Sequence, residues 1–236
     1  MLKITQSKIT QSSPCWKRDD LVHVAPDIWA SALARCPSSA DLPLVEAWAD
    51  RGWPAIVRRR GEVEDPGLVP VGVPLPPAMG KHRVALAIPP ESVLQRSSPA
   101  SLRAAASVVD PGCRSTIASL LSLGARTGVE PSAFGSLLWE HLTGLTYVSP
   151  HSDLDVLWSV APGLDVLSLV VGIAEIQLEA PRRVDGEVMF SDGGAVNWRE
   201  LLAVINEGKS GEVLVKSIDS VRLVNVLQLL NLRRLA

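Results

Sequence analysis

Cysteine is scarce in this chain. Its three residues, Cys15, Cys36 and Cys113, are odd in number, far apart and in no metal-ligand spacing. That argues against a disulfide framework and against a zinc site. Long apolar runs are also missing. Val166 to Ala174, near the middle, is uncharged but far below the ~20 apolar residues that a spanning helix needs, and no apolar signal segment follows the N-terminus. A soluble, cytoplasmic protein with no membrane partner is expected. Nor is one charge in excess, the formal net being −2. Polynucleotide binders usually carry a strong basic face, so no nucleic-acid partner is expected. The phosphate-loop pattern and the glycine-rich dinucleotide fingerprint are absent, and Ser152 lacks the motif of a serine hydrolase nucleophile.

What is present is enough apolar material to fold without staples: 236 residues, 47% hydrophobic, suit one large domain or two small ones. The chain opens on a tandem pentapeptide, Lys3 to Ser7 repeated as Lys8 to Ser12, with little to bury, and residues 1–18 read as a disordered extension. From Asp20 to Trp53 the pattern reads as helical, with Pro26 in a first turn and a second short helix over Leu44 to Ala49. Ala55 to Val57 and Val84 to Ile88 read as strands, and the proline-rich stretch Leu68 to Pro77 as extended chain. A boundary near residues 88–93 separates an N-terminal domain, 19–90, from a second domain, 91–236. Beyond it, Ser101 to Val109, Thr116 to Leu123 (stopped by Gly124), Leu137 to Leu145, Leu164 to Glu179 and a segment opened by Asn197 and Glu200 suit helices. Glu187 to Phe190, Val213 to Val215 and Val221 to Val224 suit strands.

The chemistry concentrates at His151-Ser152-Asp153-Leu154-Asp155-Val156-Leu157-Trp158. Carboxylates alternating with apolar residues on a strand point to the same face. Magnesium takes oxygen ligands and is typically held by one or two carboxylates plus substrate phosphates, so Asp153 and Asp155 are the expected Mg2+ ligands and catalytic pair. Upstream, Gly135-Ser136 opens a helix where backbone amides can hold a phosphate. Together these suggest metal-assisted nucleotide transfer. A third carboxylate could come from Asp185 or Glu187, although Asp185-Gly186 reads first as a hairpin turn. Arg182 and Arg183 could grip phosphates or cap the preceding helix. Basic residues also cluster at Arg58-Arg59-Arg60 and at Lys81-His82-Arg83, which suits a small polyanion or a solvated face. His151 reads as a structural loop residue, and the seven tryptophans as core and interface anchors.

Taken together, Gly135-Ser136, Thr143-Gly144-Leu145, Ser152-Asp153-Leu154-Asp155 with Leu157-Trp158, Asp185-Gly186-Glu187, Ala195 to Leu201 and Val213 to Lys216 resemble the phosphoribosyl-dephospho-CoA transferase (holo-acyl-carrier-protein synthase) of bacterial malonate decarboxylase. In the N-terminal half, Trp53-Pro54, Val57-Arg58-Arg59, Gly72 to Pro77 and Gly80-Lys81 are similar to that family. The likeness runs from Arg18 to Val224; the pentapeptide repeat and the tail after Val224 depart from it. It implies an α/β (α+β) fold, with a nucleotidyltransferase-like mixed sheet, flanking helices and a smaller N-terminal domain. It also implies transfer of a prosthetic group from triphosphoribosyl-dephospho-CoA to a serine of the apo acyl carrier protein subunit, with release of diphosphate. In that reading Asp153 and Asp155 match the catalytic pair, Gly135, Ser136, Arg182, Arg183 and Lys81 are substrate-binding residues, and Arg58, Arg59 and Arg83 are further contacts. The alternatives are a different nucleotidyltransferase, moving AMP, and a non-catalytic assembly factor for the carrier protein.

Overall fold

A computed structural model describes residues 16–36, 42–80, 82–208 and 211–232. The pentapeptide repeat, Cys15 and Lys81 lie outside the described residues. Two sheets organise the chain, giving the α+β class that the sequence implies. The first contains β1 (Leu21–Val24), β2 (Ala55–Val57), β3 (Val69–Pro74), β4 (Arg83–Ile88) and β5 (Val93–Ser97) in the order β4-β3-β2-β1-β5, and every pairing is antiparallel.

Alternation builds this sheet. In β4, Val84, Leu86 and Ile88 are buried while Arg83 and Ala85 are exposed, the period of a strand with one wet face. Leu21 to Val24 falls in the span whose pattern reads as helical, yet it is a strand, because Leu21 and Val22 pair with Ile56 and Ala55 on one side and the chain at 93–97 pairs on the other. The helix starts only at Pro26, its first residue, and runs to Ala34. Pro89-Pro90, which reads as the end of the N-terminal unit, instead opens a short 3-10 turn. The chain then returns as β5 beside β1, so the first sheet runs on past the 88–93 link to Ser97. Val22, Trp29, Trp48, Val57, Val71 and Leu86 fill the core beneath it.

The second sheet is mixed. It contains β6 (Pro131–Ala133), β7 (Leu154–Ser159), β8 (Val184–Met189), β9 (Ala195–Asn197), β10 (Glu212–Lys216) and β11 (Val221–Asn225) in the order β11-β10-β9-β8-β7-β6. Only β7 and β8 run parallel; the Val166–Glu179 helix crosses between them, as a parallel pair requires. Leu154, Val156, Trp158, Val184 and Val188 point to one face, under that helix and the helices Arg114–Thr127 and Trp198–Asn206. At Gly172 a Cβ would fall 2.5 Å from Leu123 Cδ1, so the first two of these helices touch almost backbone to side chain. Gly124 lies inside its helix instead of ending it; the stop is Gly128, left-handed at φ 74. The second face of the sheet carries Asp155, Asp185 and Glu187.

Asp185-Gly186 is not a hairpin turn. Both residues lie inside β8, opposite Asp155 and Val156 in the parallel register, and the backbone of Val156 approaches so closely that Gly186 has no room for a Cβ. The glycine marks a close backbone approach within a strand.

Candidate active site

The start of β7 and the start of β8 lie side by side, which sets Asp155 beside Asp185. Asp153 precedes β7 by one residue and reaches the same locus. The Arg183 guanidinium spans the two outer carboxylates, with Nη2 2.9 Å from Asp185 Oδ2 and Nη1 3.9 Å from Asp153 Oδ2. Asp153 is 41% exposed and Asp185 19%, so the cluster opens to solvent on one side. Burial pushes the Asp155 carboxyl up from 3.8 to about 6; Asp185 and Asp153 push the same way and Arg183 opposes them. Negative charge is thus crowded here and short of compensation, with a single guanidinium among the three aspartates.

Across this cluster lies the first turn of the Gly135–Thr143 helix. No side chain caps its N-terminus, Gly135 stands at φ 55, and a Cβ there would run into the Asp155 carboxylate. Phe134 N–H donates to the Asp155 carbonyl at 3.1 Å, fixing the helix start against β7. Gly135-Ser136 therefore meets the aspartate strand directly, as an uncapped and electropositive helix end. Among the described residues no group of three or more His, Cys, Asp or Glu side chains is drawn together tightly enough to hold a metal ion unaided. Hard carboxylate oxygens with charge to spare nevertheless fit a magnesium ion that takes the rest of its shell from phosphates and water.

Two structures of hydrogen bonds support the carboxylates. Asp185 Oδ1 accepts from Gly186 N at 2.8 Å and from Asn197 Nδ2 at 2.9 Å. Entry into β8 is held by Gln177 and Arg199: Gln177 Oε1 accepts from Val184 N at 2.6 Å and from Arg199 Nη2 at 2.5 Å, and Arg199 Nη2 also donates to the Val184 carbonyl at 2.9 Å.

The basic residues divide. Arg183 joins the site. Arg182 donates to the Ser149 carbonyl at 2.9 Å and to Asp110 Oδ2 at 2.8 Å, so it holds the loop before β7, and it lines a small pocket together with Asp110 and Asp153. Arg58 is taken up by Glu64 and by the carbonyls of Val71 and Leu86, and Arg60 by Asp219 and the carbonyls of Asp65 and Leu68. Glu187 receives Arg18 and, at 3.3 Å, Lys216, leaving Asp185 as the acid nearest the pair. His151 is exposed in the turn before β7. By sequence Asn197 reads as a helix start; the alternation of Asp185 and Glu187 is the signal for a strand with an acidic face.

Known proteins resemble this chain along most of its length. The family profile described as "Phosphoribosyl-dephospho-CoA transferase MdcG C-terminal domain" matches residues 101–226, and its N-terminal counterpart matches residues 17–99. A phosphoribosyl-dephospho-CoA transferase of Bradyrhizobium diazoefficiens is 41% identical over 221 residues, 91% of this chain and 95% of the relative. One from Xanthomonas campestris pv. campestris is 37% identical over 200 residues, 84% of this chain and 91% of the relative. No solved structure matches the chain at a significant level. Among the described residues no helix is long and apolar enough to cross a membrane. With both sheets inside the matched spans, the chain belongs to the phosphoribosyl-dephospho-CoA transferase MdcG family and is a transferase enzyme.

Proposed function

We propose that the chain transfers the phosphoribosyl-dephospho-CoA group from triphosphoribosyl-dephospho-CoA to a serine of the apo acyl carrier subunit of malonate decarboxylase. The family membership supports the donor, and the observation that carries the site is the Asp155–Asp185 register beside the open helix end at Gly135. Asp153 and Asp155 would hold Mg2+, which when bound would offset charge on the reacting and departing phosphates. The amides of Gly135-Ser136 hold the outer phosphates, with Arg183 at the rim. Asp185, anchored through one oxygen, orients the serine hydroxyl and takes its proton as that oxygen bonds to the α-phosphorus. The bond from the α-phosphorus to the bridging oxygen breaks, and diphosphate leaves. Lys81, of the sequence run Lys81-His82-Arg83, is a further donor contact in this reading.

Intact-mass spectrometry of the apo carrier tests this. With the protein, the triphosphoribosyl donor and magnesium, the carrier gains the prosthetic group, and EDTA abolishes the gain. Addition of AMP from ATP at equal or greater rate would point to the different transferase; docking without any mass gain would point to an assembly factor.

A further inference from the structure

Asn197 occupies a junction between two jobs. As the last residue of β9 and the N-cap of the Trp198–Asn206 helix, it offers Oδ1 to the backbone amides of Arg199 at 2.9 Å and Glu200 at 3.4 Å. These two donors fix which end of the side-chain amide faces the helix. The NH2 group must then point the other way, and there it meets Asp185 Oδ1 at 2.9 Å. Asn197 stands opposite Glu187 in the antiparallel pairing of β8 with β9, so Asp185 is its diagonal neighbour on the same sheet face. With the Gly186 amide on the same oxygen, the carboxylate is held through Oδ1, and Oδ2 faces Arg183.

From this geometry we infer that Asn197 is a positioning residue for the transfer reaction: the helix cap clamps its amide, and the amide holds Oδ1 of Asp185 so that Oδ2, beside Arg183, faces the acceptor hydroxyl. The inference rests on the role given to Asp185 above. Serine, threonine and aspartate also cap helices well, but an ionised aspartate has no proton to donate, and the hydroxyl of serine or threonine sits where Asn197 has its Cγ, one bond short of the Nδ2 that reaches Asp185. Positioning and capping therefore separate by mutation. Asn197→Ser keeps the cap and draws the donor back from Asp185; Asn197→Asp keeps the cap and sets a like charge against Asp185.

The experiment measures kcat, KM for donor and carrier, and thermal midpoint for both variants beside Asp185→Asn. Asn197→Ser should melt within about 2 °C of the wild type. It should lose about 10–100-fold in kcat, as partners behind a reacting group do, with both KM values within about twofold. Asn197→Asp should lose more. A merely structural Asn197 predicts that Asn197→Ser keeps both midpoint and kcat, or that kcat falls only in step with the midpoint; either result overturns the inference, as does wild-type kcat in Asn197→Asp. If Asp185→Asn turns over normally, the role of Asp185 in the proposed function fails instead. If Asp185→Asn is impaired while Asn197→Ser is not, the positioning role alone fails.

Discussion

Gly135 and Asp155 constrain each other. A methyl group at Gly135 would occupy the space of the Asp155 carboxylate, at a φ of 55 that L side chains rarely adopt. Gly135→Ala should therefore destabilise the fold by about 1–3 kcal/mol and displace Asp155, lowering kcat well beyond what the midpoint shift explains; paired melting and turnover assays check this. Asp19 offers a test independent of the site. It is buried at φ 76, and burial raises its carboxyl from 3.8 to about 7, against the opposing pull of Arg18. A folded pKa raised in this way favours the protonated form. The stability it contributes is full below about 3.8 and lost as pH rises through about 7. Asparagine tolerates the left-handed backbone and carries no charge, so Asp19→Asn should be about 1–4 kcal/mol more stable than the wild type at pH 8, with the gap closing towards pH 4 in urea unfolding.

The elements of the second sheet were legible to different degrees. The Val166–Glu179 helix, the β10–β11 hairpin and the helix opened by Asn197 are readable because apolar spacing and caps are local signals. Asp185-Gly186 was misleading because the dipeptide favours turns, whereas here the glycine answers to the Val156 backbone on a strand 30 residues away in register. The same distance problem hid the arginines. Arg182 finds Asp110 across 72 residues and Arg60 finds Asp219 across 159, and no local pattern reveals such distant partners. Arg18 to Glu187 spans 169 residues. The aspartates were readable because their alternation is itself the strand signal. At this scale the helix contact is also testable: Gly172→Val places branched carbon against Leu123, and overpacking of this kind should cost about 1–3 kcal/mol in denaturant unfolding while leaving donor KM unchanged.

Across the whole molecule, the helix that opens at Gly135 is built into both cores. Its Leu137 and Leu138 pack with the second sheet, while Trp139 enters the tryptophan cluster of the first, with its ring centroid 5.8 Å from that of Trp48. Tyr147, just after the helix, donates its hydroxyl to the Pro74 carbonyl at 2.9 Å. The first sheet thus holds the helix that opens over the aspartate cluster. Trp139→Ala should cost about 3–5 kcal/mol and lower turnover even where the protein is still folded, whereas Tyr147→Phe should cost about 1 kcal/mol with little effect on rate. Whether the carboxylates at the starts of β7 and β8 perform the transfer is decided by the single-turnover rate of prosthetic-group addition to the apo carrier by Asp155→Asn. Loss of a crowded charge raised to about 6 should leave this variant folded and no less stable at pH 8 in metal-free buffer, with the rate down at least about 1,000-fold; modification of the carrier at the wild-type rate would contradict the account.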